Sequence, residues 1–72
     1  KVYRAQVAGI MTQEDVVRFK EGIELKDFTT LPAELEMLEV DRETDSCLVQ
    51  IRIAEGKFHQ VKRMVAACGK VL

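Results

Sequence analysis

Seventy-two residues make one domain or a piece of one, with room for only a modest core. At 47% hydrophobic and 32% charged, the chain is too apolar for a disordered tail, and no apolar run in it reaches membrane length. Its net charge of −1 hides a split: from Glu34 to Asp45 six acids stand against Arg42, and from Arg52 to Lys70 five bases stand against Glu55. Such a split either steers an anionic ligand toward one end or marks two solvated faces. No signal-peptide pattern is present, so cytoplasmic residence is expected. Cys47, Cys68 and the single His59 lack metal or redox spacing, and both cysteines read as buried, reduced thiols. The missing initial Met and the apolar ending at Val71-Leu72 suggest a piece of a longer chain.

Lys1 to Ala8 alternates as a strand, with Tyr3, Ala5 and Val7 on one face. Thr12 with Asp15 three residues on forms a capping-box pattern for a helix over about Gln13–Lys20. That helix is expected to bury Val16, Val17 and Phe19 and to close at a left-handed Gly22. Residues 23–32 read as a loop, because Pro32 stops any helix from crossing. Glu34–Asp41 is a second strand, residues 42–46 a hairpin connection, and Cys47–Ala54 a third strand facing Cys47, Val49, Ile51 and Ile53 one way. A second helix over about Phe58–Cys68 ends at Gly69. Its apolar face carries Phe58, Val61, Met64, Val65 and Cys68, with His59, Arg63 and Ala66 opposite. Lys62 lies at the border, where its stem can pack while its ammonium reaches one partner. Val71-Leu72 would begin a fourth strand. The order β-α-β-β-α-(β) is the split βαβ pattern of an α+β fold.

Glu55-Gly56-Lys57-Phe58-His59-Gln60-Val61-Lys62-Arg63-Met64 is the densest run of chemistry. Lys57, Lys62, Arg63 and Lys70 can neutralise phosphates, with backbone N–H groups near Gly56 open at the helix N-terminus. His59 and Gln60 can hydrogen-bond sugar or phosphate. The plainer alternative is an amphipathic helix with a solvated face. Tyr3 can stack on a base or serve as a core tyrosine with its hydroxyl at the edge. His59 has no carboxylate near it in sequence, so it reads as a hydrogen-bonding or structural residue more readily than as a general acid or base. Asp15, Asp27, Asp41 and Asp45 all sit in cap, loop or turn contexts, and none stands out as a nucleophile.

Lys1-Val2-Tyr3, Gly9, Thr12 to Val16, Gly22 to Leu25, Thr30 to Glu36 and the block Glu55–Met64 together resemble bacterial rRNA pseudouridine synthases. The last block is the most specific, and its His59-Gln60 pair resembles the small-subunit (16S) branch more than the large-subunit one. The resemblance implies the C-terminal part of a catalytic domain, a piece of a mixed, mainly antiparallel sheet. It implies cleavage of a uridine N-glycosidic bond, rotation of the base and rejoining through carbon, by an Asp carboxylate without cofactor or metal. Ribosomal RNA is the implied partner. Tyr3 matches the family's base-contacting tyrosine, and Lys62 the basic residue that pairs with the catalytic Asp. Lys57, His59, Gln60 and Arg63 become candidates for RNA contact or for support of the site. The family's Asp segment and N-terminal RNA-binding domain have no counterpart here, so this piece alone is expected to be inactive and to self-associate through open strand edges. The rival readings are a non-catalytic RNA-binding module of split βαβ type and a domain that contacts other proteins. The first usually carries aromatics on its central strands, and Cys47–Ala54 has none.

Overall fold

Alternation of small and branched apolar residues sets the strands. In the computed structural model, which describes all 72 residues, these are β1 (Val2–Ala8), β2 (Glu34–Asp41) and β3 (Ser46–Arg52), with helices α1 (Gln13–Glu21) and α2 (Phe58–Ala67). The sheet order is β1-β3-β2, and both pairings are antiparallel. β1 and β2 therefore run parallel to each other on either side of β3, with α1 in the connection between them. This is the expected split βαβ arrangement of an α+β fold.

Period-two alternation gives the sheet two unlike faces. Val7, Leu35, Cys47, Val49 and Ile51 point inward and are buried with Phe19 of α1 and Val61, Met64 and Val65 of α2. The outer face is stitched by polar cross-strand pairs: Arg4 donates to Gln50 (2.9 Å), Gln6 to Ser46 (3.2 Å), and Arg52 pairs with Glu34 (3.2 Å). The molecule is thus two layers with one core. Each fully buried apolar side chain in it contributes about 1.5–3 kcal/mol.

The β2–β3 connection is built by Asp41, whose carboxylate accepts from the Glu43 and Thr44 amides (3.0 and 3.3 Å). Asp45 takes a positive φ of 52°, and its carbonyl accepts from Gly9, fixing the turn to the end of β1. Ser46 belongs to β3 rather than to the turn, and β3 ends at Arg52 rather than Ala54. A bulge between Met37 and Glu39 shifts the register of β2, leaving Leu38 and Val40 exposed on the sheet edge.

Thr12 caps α1 as expected, with both arms of the capping box present. Phe19 is fully buried, but Val17 is 43% exposed. Two residues are 200° apart on a helix, so Val17 points away from Phe19 and the nine-residue helix buries one face only. Gly22 closes α1 with positive φ (96°) but an extended ψ of 141°, not the left-handed cap. Only glycine fits there, since a Cβ would sit 2.5 Å from the Thr30 carbonyl oxygen. At the far end of α2, Arg18 donates to the Ala67 carbonyl (3.2 Å), satisfying a terminal acceptor from the neighbouring helix. The expected fourth strand shrinks to one bridge, in which Val71 exchanges two hydrogen bonds with Ala8.

Candidate nucleic-acid interface

At 100° per residue, Val61, Met64, Val65 and Cys68 form the face that α2 buries. Lys62, Ala66, His59 and Arg63 then follow one another around the remaining surface. Lys62 and His59 are exposed, and Lys62 makes no hydrogen bond or ion pair within the chain. Phe58 lies at one margin of this strip and is 41% exposed rather than core. Its ring tilts against Tyr3 of β1, with centroids 5.4 Å apart at 58°. Lys62 stands one turn beyond Phe58, so Tyr3, Phe58 and Lys62 share a flank.

The other margin is held by residues 23–32. Leu25 and Phe28 close a tight turn (2.8 Å), and Glu24 bridges Thr29, so the loop is a short finger. Arg63 grips it with a bidentate pair to Asp27, and its guanidinium lies 5.8 Å from the centre of the Phe28 ring. The Arg63 guanidinium holds the Asp27 carboxyl below its usual range, and Asp27 raises Arg63 in turn. Glu55 accepts from the Leu31 amide (2.6 Å), a second tie between finger and motif. Gln60 folds back over Gly56, whose φ is 74°, and reaches the Met64 sulfur (3.7 Å).

Lys70 does not join the strip. Its ammonium binds the buried carboxylate of Asp15 at 2.8 Å. Burial pushes the Asp15 carboxyl up, but hydrogen bonds from Lys70 and the Thr12 amide outweigh it and hold the group below its ordinary range. Burial, and then the Asp15 carboxylate, push the Cys68 thiol up, in keeping with an inert structural cysteine. Of the four cations assigned to phosphate by sequence, Arg63 and Lys70 therefore have internal partners. Lys57, at the N-cap with no side-chain hydrogen bond capping the helix, and Lys62 remain unpaired.

The fold recurs in a solved pseudouridylate synthase, with TM-score 0.81 and 36% identity over 97% of this chain and 29% of that one. The ribosomal small subunit pseudouridine synthase A of Vibrio parahaemolyticus is 44% identical over 72 residues, and the ribosomal large subunit pseudouridine synthase B of Bacillus subtilis 36% over 69. This chain is homologous to part of the rRNA pseudouridine synthases. It spans under a third of those relatives, 29% of the first and 28% of the second, while 96% of its own length is matched. No protein-family model matches it.

The structure brings Tyr3 and α2 together and places Lys57, His59 and Lys62 on one open strip. Gln60 and Arg63 are turned to holding Gly56 and the finger. Sequence reasoning missed Glu55, Asp27 and Phe28. Glu55 could have been found as the one acid in a basic motif. Phe28 could have been found as an aromatic stranded in a polar loop. The Asp15–Lys70 pair, 55 residues apart, left no signal.

Proposed function

We propose that this chain is the C-terminal part of the catalytic domain of an enzyme that converts one uridine of small-subunit rRNA to pseudouridine in the cytoplasm. The observation that carries the reading is the Tyr3–Phe58–Lys62 flank, in which an aromatic pair adjoins a lysine without an internal partner. The His59-Gln60 pair, which resembles the small-subunit branch, favours that substrate. Tyr3 receives the target base on its ring, and Phe58 fixes the angle of that ring. Lys62 pairs with a catalytic Asp supplied by the rest of the longer protein and holds it ionised for attack on the ribose or base. Lys57 and His59 bind backbone phosphates, and Gln60 and Arg63 support the site through Gly56 and the finger. The 72 residues alone are then inactive, since no carboxylate adjoins Lys62.

In the longer protein, Lys62→Met is expected to cut kcat by a factor of about 100 or more, from the loss of one partner of a buried charge pair. RNA affinity should change by less than about threefold, as for a single exposed cation. Turnover and affinity measured on the same rRNA decide this. Equal losses of both would make Lys62 a phosphate contact and remove it from catalysis.

A further inference from the structure

The outer strip of α2 is bordered by aromatics on both sides, and the Phe28 side has no role in the account so far. Phe28 is 38% exposed at the end of a finger that is itself well tied down. One face of its ring is occupied by the Arg63 guanidinium, and Asp27 fixes that guanidinium in turn. A solvent-exposed phenyl ring held this firmly is a flat platform, ready to stack without further ordering. Its neighbours are polar: the Lys26 cation lies in the same turn, and the His59 imidazole is one helical turn before Arg63. A cation and an imidazole beside an open aromatic face suit a nucleobase and its phosphate better than an apolar protein surface.

We propose that Phe28 is a second base-stacking site, which takes an unpaired nucleotide neighbouring the one at Tyr3. The two rings lie on opposite margins of α2, Tyr3 against Phe58 and Phe28 against Arg63. A single strand crossing the strip meets Lys62 and His59 between them. Arg63 is then a positioning residue, which keeps the ring in place. The proposal rests on the RNA-binding reading above and adds a defined contact to it.

The test is fluorescence anisotropy of a labelled single-stranded RNA oligonucleotide on the 72-residue chain, beside the same oligonucleotide made abasic. Phe28→Ala and Phe28→Leu should each weaken the normal RNA by about fivefold or more, while Phe28→Trp keeps or improves it, because the π face and not the apolar bulk is used. The abasic RNA should bind all four proteins alike. Thermal melts of the variants establish that each is folded, and the Leu and Trp variants keep the comparison if Ala is not. Equal affinity of Phe28→Leu and the parent for normal RNA would overturn the stacking site, while a salt slope lowered by Lys57→Ala would still uphold the RNA reading. Absent or salt-independent RNA binding would overturn both. Loss of self-association in Phe28→Leu with unchanged RNA affinity would make the ring a protein contact instead.

Discussion

Lys70 leaves the end of α2, passes over Gly9 and reaches Asp15 at the start of α1. Gly9 permits this path: a Cβ there would lie 2.7 Å from the Lys70 side chain. The side chains of Asp15 and Lys70 are only 5% and 20% exposed, so the pair is screened little. Lys70→Met should cost about 3 kcal/mol, the lower end for removing one partner of a buried pair, and lower Tm by about 10 °C or more. It should leave RNA affinity unchanged. Because the folded Asp15 carboxyl titrates below its ordinary 3.8, its stabilisation is present above that pH and disappears as pH falls through the depressed value. Urea unfolding followed from about pH 6 to pH 2 should show this acid loss shrinking in Lys70→Met. Weaker RNA binding with unchanged Tm would return Lys70 to the interface.

At the level of elements, the motif works through the turn that launches α2. Gly56 holds φ at 74°, and an added Cβ would lie 2.2 Å from the Gln60 side-chain oxygen. Gly56→Ala should therefore displace Gln60 and strain the turn by about 1–2 kcal/mol, lowering Tm by about 5 °C or more and loosening the finger tied to Glu55. Thermal melts and proteolysis at the finger check this; an unchanged Tm would mean that the turn relaxes freely. Local features of this kind were legible in the sequence. The capping box at Thr12, the strand Glu34–Asp41, the buried faces of β3 and α2 and the split βαβ order all follow from period and caps. What was not legible depends on distant partners. Arg63 reads as a free cation until Asp27, 36 residues away, is placed beside it. Val17 shows the opposite failure, because its angle to Phe19 already put it in solvent. The bulge that exposes Leu38 carries neither Gly nor Pro to announce it.

For the whole molecule, the opposed charges lie on different parts of one small body. The acidic β2 edge, broken by its bulge, discourages strand pairing, whereas the outer edge of β1 is covered only where Val71 meets Ala8. The isolated chain should therefore associate at micromolar concentration through the β1 edge, with salt weakening the contact between the acidic hairpin and the basic helix of a second copy. Sedimentation giving a monomer of 8.2 kDa at all salt concentrations would show that the edge is protected. The chain spans under a third of each of these relatives, so the activity proposed is that of a longer protein. Pseudouridine mapped in both ribosomal RNAs, with and without the gene that encodes the chain, tests it most directly. Loss of modification at one small-subunit uridine, restored by the intact gene and not by its Lys62→Met form, is the predicted result. Unchanged maps, or a loss confined to large-subunit rRNA, would contradict the account.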